Sequence, residues 1–122
     1  MWFVPRSSLE TENALENRLS KIEKLIEDCK YGIHDISRTE VNAGALPRFN
    51  MPFELGIFFG AKKFGGLKQK RKTALVLEHT RYLYQQYISD LNGIDIKDHN
   101  NDPEKVIKII RDWLSFVRQK AD

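Results

Sequence analysis

The stretch "TALVLEH", residues 73–79, decides the fold class. It is a short, unbroken apolar run, and a strand reads this way when helices cover both faces of a parallel sheet. The segments around it follow the same logic. Upstream, "YGIHDIS" (31–37) is too short for a helix and reads as a second strand. Its alternation puts Tyr31, Ile33 and Asp35 on one face and Gly32, His34 and Ile36 on the other. Downstream, "IDIKDH" (94–99) alternates and reads as an edge strand. "MWFVP" (1–5) is short, apolar and closed by Pro5, and reads as a strand or strand remnant.

Helices fill the intervals. In "SSLETENALENRLSKIEKLIEDC" (7–29), Leu15, Leu19, Ile22, Leu25, Ile26 and Cys29 recur at three- and four-residue steps, with Ser7 or Ser8 as the cap. Asn50 or Met51 caps the second helix, which carries Pro52 in its first turn. Phe53, Leu55, Ile57, Phe58 and Phe59 surround that helix, and Gly56, Gly60 and Ala61 leave room for a neighbour, so it is expected to be buried on most sides. "RYLYQQYISDL" (81–91) reads as a helix ended by Asn92-Gly93. The last helix has Asp102 at its N-cap and Pro103 at its first position, with Val106, Ile107, Ile110, Trp113, Leu114 and Val117 inward. Strands alternating with helices predict one α/β domain over residues 1–122, with a mostly parallel sheet.

Composition sets the limits. The chain has 122 residues, 41% hydrophobic and 30% charged, enough for one small core. The net charge of +3 permits anionic partners without demanding them. No apolar run reaches the length of a membrane span. One cysteine, Cys29, rules out an internal disulfide and fits a reducing, cytoplasmic location. His34, His79 and His99 are far apart in sequence and lack ligand spacing, so no metal is expected. "GAKKFGGLK" lacks the Lys-Ser/Thr ending of a P-loop. The run Lys68, Lys70, Arg71, Lys72 reads as a solvated loop rather than a nucleic-acid surface, because no aromatic residue interleaves it.

Chemistry converges on "RFNMPFELGIFFGAKKFGG" (48–66). From Phe49 to Ala61 the only charged residue is Glu54. A capping-box glutamate explains its position, and a carboxylate tuned by an apolar crevice explains its surroundings; spacing alone leaves both readings open. Asp35 and Ser37 close "YGIHDIS" on one face, at the strand end where parallel sheets bind ligands. The ordinary alternative is an Asp/Ser turn. Arg38 and Arg48 flank the intervening loop and suit a phosphate or carboxylate.

Together these residues resemble the core of nucleoside deoxyribosyltransferase-like proteins and bacterial Toll/interleukin-receptor-like nucleotide-binding domains. Those proteins have a strand ending in Asp-(Leu/Ile)-(Ser/Thr), matched by Asp35, Ile36 and Ser37. They then open a helix with Asn-x-(Pro/Val)-x-x-Glu-(Leu/Ile)-Gly, in place of which this chain has Asn50, Pro52, Glu54, Leu55 and Gly56. The resemblance spans about the middle half of the chain. It implies a flavodoxin-like fold that binds a nucleotide or nucleoside, with NAD as a substrate in some members and no resident cofactor. It further implies cleavage or transfer at an N-glycosidic bond, with Glu54 as the catalytic carboxylate. Asp35, Ser37, Arg38, Asn50 and Pro52 would contact the substrate. The alternative within the same resemblance is a non-catalytic nucleotide-sensing or protein-interaction domain, or a truncated member without activity. The family opens with a strand–helix unit ahead of the segment that "MWFVP" matches, so this chain is expected to lack that unit. The gap in the sheet is then filled by rearrangement or by a second copy in a homodimer.

Overall fold

The computed structural model describes residues 2–10, 13–37, 49–91 and 94–121. Among these, seven regular elements stand out: helix α1 (Arg18–Asp28), strand β1 (Tyr31–Asp35), helices α2 (Asn50–Phe64) and α3 (Leu67–Lys70), strand β2 (Thr73–Glu78), strand β3 (Lys97–Asp98) and helix α4 (Pro103–Lys120). The three strands form one sheet in the order β1-β2-β3. Thr73 N–H donates to Lys30 O near the start of β1, and Ile36 N–H donates to Leu77 O at its end, so β1 and β2 run in parallel. β3 pairs in parallel with β2, Leu77 opposite Lys97 and Glu78 opposite Asp98. The fold class is therefore α/β, as the alternating pattern predicts. β2 buries Leu75, Val76, Leu77 and Glu78 in succession, the two-sided burial expected of "TALVLEH". In β1 the His34 and Ile36 face is the buried one, and Ile33 lies on the more open side.

The chain packs as two compact units, one of Met1–Gly32 with Phe53–Thr73, the other of Ile33–Pro52 with Ala74–Asp122. In the first, α1 begins only at Arg18, because Asn17 caps it by accepting from Ser20 N–H at 2.8 Å. The predicted stripe from Leu15 is thus too long. Leu15 lies ahead of the helix and is 97% exposed, and the buried positions are Ile22 and Ile26. Ser7 instead accepts from Leu9 N–H beside a short 3-10 turn, Ser8–Glu10. "MWFVP" forms no strand over its described residues; it contributes Phe3, whose ring meets Tyr31 edge-on at 5.7 Å.

α2 buries Leu55 and Phe58, but Phe53, Phe59 and Phe64 are exposed, which corrects the expectation of burial on most sides. Gly56 and Gly60 have no atom within 4 Å of where a side chain would begin, so neither serves close packing. The glycine that matters is Gly65. A Cβ there would lie 2.5 Å from Ala61 O, so only glycine lets α2 turn into α3. Residues 65–72 are partly helical and carry the most deeply buried cation among the described residues, which corrects the solvated-loop reading at Lys72. Lys72 is 2% exposed, and its ammonium donates to Ile26 O and Cys29 O at the end of α1. It also lies 5.0 Å from the Phe58 ring centre. A cation at a helix C-terminus is favoured by the helix dipole and answers carbonyls that α1 cannot pair internally. Burial pushes its pKa below the ordinary lysine value.

In the second unit, "RYLYQQYISDL" is not an α-helix. It forms two 3-10 turns, Leu83–Gln86 and Ser89–Leu91. Tyr82 sits in the left-handed region at φ 64°, which an α-helix does not admit. The cause is Glu78, buried at the end of β2. Its carboxylate takes Tyr84 N–H at 3.2 Å and is further held by the backbone of Tyr82 and Leu83. Burial still raises the Glu78 pKa above its ordinary value. The proposed stop at Asn92-Gly93 lies outside the described residues. α4 starts as read, with Asp102 accepting from Glu104 N–H at 3.0 Å and Pro103 in the first turn. Val117 is buried, whereas Ile107 is 68% exposed and does not join the inner face.

Two predictions follow from these burials. Lys72→Met leaves the Ile26 and Cys29 carbonyls without their donor. It should lower unfolding free energy by about 1.5–3 kcal/mol in a urea titration, the range for hydrogen bonds to charged groups. His34 is buried, and desolvation lowers its pKa to about 4. The unfolded chain then binds a proton first, so stability is full above roughly pH 6.5 and is lost as pH falls toward 4. The total loss is about 3 kcal/mol. Urea midpoints measured across this window should fall less in His34→Phe than in the wild type.

Candidate functional site

Three strand ends of a parallel sheet point the same way, and in such sheets ligands bind beyond the carboxyl ends. In the second unit, these ends bring Asp35, Ser37 and His99 together. Ser37 N–H donates to Asp35 Oδ1 at 2.9 Å, closing an Asx-type turn, and the Ser37 hydroxyl donates to the same oxygen. His99 Nε2 lies 3.0 Å from Asp35 Oδ2 and 3.0 Å from Ser37 Oγ.

His99 is positioned by the turn that follows β3. Asn100 and Asn101 both adopt left-handed backbone, at φ 51° and 55°, a conformation asparagine tolerates better than most residues. The turn is tied at three points: His99 N–H to Glu78 O at 2.9 Å, Asn100 N–H to His79 O at 2.8 Å, and Asp102 N–H to His99 O at 2.9 Å. Asn101 N–H donates to His99 Nδ1 at 3.0 Å. A nitrogen that accepts carries no proton, so the network assigns the proton to Nε2. Nε2–H then points at Asp35 and Ser37.

This assignment decides what the cluster does. In a nucleophilic triad, base and carboxylate act through opposite nitrogens of the imidazole. Here serine and aspartate share one nitrogen, and that nitrogen is a donor. His99 therefore does not accept the Ser37 proton. The cluster instead fixes a carboxylate: Oδ1 accepts twice, Oδ2 accepts once, and the Asp35 side chain remains 42% exposed. A half-exposed carboxylate held from behind is suited to accept hydroxyl or amine hydrogens of a ligand.

Glu54 lies in the first unit, one turn into α2 rather than at its third position, because the helix already starts at Asn50. The capping-box reading is thereby set aside. Glu54 is half-buried, and desolvation raises its pKa above the ordinary glutamate value, opposed by the Arg18 charge. Pro52 stands at the third helical position, where it costs no intrahelical hydrogen bond, and Asn50 is exposed at the first. Arg38 and Arg48 lie outside the described residues. The structure thus joins Asp35 to Ser37, as the sequence suggests, and adds His99, whose distance along the chain hides it from sequence spacing. His79 also meets His99 edge-on, with ring centres 6.5 Å apart, so these two histidines are neighbours despite their spacing in the chain. Among the described residues, no group of three metal-ligating side chains exists. No helix there is long and apolar enough to cross a membrane.

Searched against protein-family models, curated proteins and solved structures, the chain gives no match.

Proposed function

We propose that this chain is a nucleotide- or nucleoside-binding domain of flavodoxin-like plan, with Asp35 as the acceptor for ribose hydroxyls. The observation that carries this reading is the fixed, half-exposed Asp35 carboxylate at the carboxyl end of a parallel strand. Ser37 and His99 hold that carboxylate in one orientation, so little ordering remains to be done on binding. The one-nitrogen arrangement favours recognition over nucleophilic chemistry at this cluster. Any bond cleavage falls to Glu54. Its raised pKa and half-buried setting suit a carboxylate that meets positive charge developing on a sugar ring, which supports scission of an N-glycosidic bond in a nucleoside or NAD.

Binding and cleavage are tested separately. Isothermal titration with adenosine, AMP and NAD should show binding that Asp35→Asn weakens about tenfold, as for loss of a hydrogen bond to a charged acceptor. No binding by the wild type at millimolar ligand overturns the reading. Nucleobase release from NAD, followed by chromatography, should vanish in Glu54→Gln. In the wild type its rate should rise with pH as Glu54 ionises, through a midpoint above the ordinary glutamate value. Binding without release in either protein identifies a sensing domain.

A further inference from the structure

The first unit contains a second feature, independent of Asp35. A cavity of about 300 Å³ opens at the end of α1, lined by Asp28, Cys29, Lys30, Leu67, Lys68, Arg71 and Lys72. Four of these seven side chains are cations. From Leu55 to Leu77 the chain has no acidic residue, while Lys62, Lys63, Lys68, Lys70, Arg71 and Lys72 all fall within that span.

The charges of this cavity are unevenly committed. Asp28 is taken up by Lys24 at 3.2 Å and Arg6 at 3.5 Å, which hold its carboxyl below the usual range. Lys72 is taken up by the carbonyls of Ile26 and Cys29, so the negative end of α1 is already answered. Lys30 rests over the Tyr31 ring at 5.1 Å. Lys68 and Arg71 have no acidic partner among the described residues. The wall is also fixed in place: Gln69 Nε2 donates to Glu27 O at 3.1 Å, and Lys72 pins the same segment from its other end.

We propose that this cavity binds a compact, multiply charged phosphate group, such as a diphosphate or phosphate ester, through Arg71, Lys68 and Lys30. Three cationic side chains from two segments converge on one hollow, and a phosphate offers enough acceptor oxygens for all of them. Arg71 supplies a planar fork suited to two of those oxygens. The volume lies at the small end of ligand cavities, which run to roughly 300–1,000 Å³. Among the residues named by the cavity wall there is no aromatic platform, the feature by which a single-stranded nucleic acid is held.

The probe is inorganic pyrophosphate, titrated calorimetrically at constant ionic strength. Lys68 and Arg71 are exposed, so Lys68→Gln/Arg71→Gln should fold as the wild type does, checked by circular dichroism. This double variant should bind at least about tenfold more weakly, while Lys63→Gln, which removes an exposed charge outside the cavity wall, should change affinity by less than about twofold. Cys29 lines the same cavity and is the only cysteine, so its alkylation by iodoacetamide should slow when pyrophosphate saturates the wild type and stay unchanged in the double variant. Three results overturn the proposal: no pyrophosphate binding at millimolar concentration, equal weakening by Lys63→Gln and the double variant, or tight salt-sensitive binding of an oligonucleotide with pyrophosphate inert.

Discussion

The ammonium of Lys72, buried under the carbonyls of Ile26 and Cys29, is the contact that ties the first unit together. It ends α1 by giving a donor to carbonyls that the helix leaves open. It also places the residue just before β2 against the residues just before β1. The next pairing, Thr73 N–H to Lys30 O, is the first rung between these strands. A parallel pair has no tight turn to set its register, so something else must do it. Lys72 does so from the strand entrance. In the second unit, Ile36 N–H donates to Leu77 O, and Asp35 and Ser37 flank that rung.

Lys72 and Glu78, the buried lysine and glutamate among the described residues, obey a common rule. Glu78 is answered by N–H groups of the turn after β2. Lys72 is answered by carbonyls. In each case a polar or charged side chain removed from water is satisfied by peptide groups rather than by an opposite charge. This avoids desolvating a second ion, which is the main cost of a buried salt bridge. It also shapes the backbone: Tyr82 is left-handed because its turn closes around Glu78, and Asn100 and Asn101 are left-handed where the chain swings from β3 past His99 into α4.

Much of the architecture is legible in the residues themselves. "TALVLEH", "YGIHDIS" and the Asp102-Pro103 helix start depend on local pattern, and local pattern is visible in one sequence. What escapes notice depends on distant partners. The apparent helix at 81–91 has ordinary helical composition, and only the Glu78 carboxylate, reaching six residues ahead to Tyr84, makes it a pair of 3-10 turns. Leu15 has helical spacing, but Asn17 captures Ser20 N–H and starts the helix later. Asp35 and Ser37 are visible as a strand-end pair. His99 is not, because 64 residues separate it from Asp35, and only the sheet order brings the two into contact.

The reliance on peptide groups has an evolutionary consequence. A side-chain ion pair can drift by compensating changes, since loss of one partner is repaired by changing the other. The partners of Lys72 and Glu78 are backbone atoms, which a substitution can displace but not remove. Their hydrogen bonds therefore tie neither residue to the side chain of a second position, so in a set of related sequences these bonds would mark the two positions singly rather than as a coupled pair.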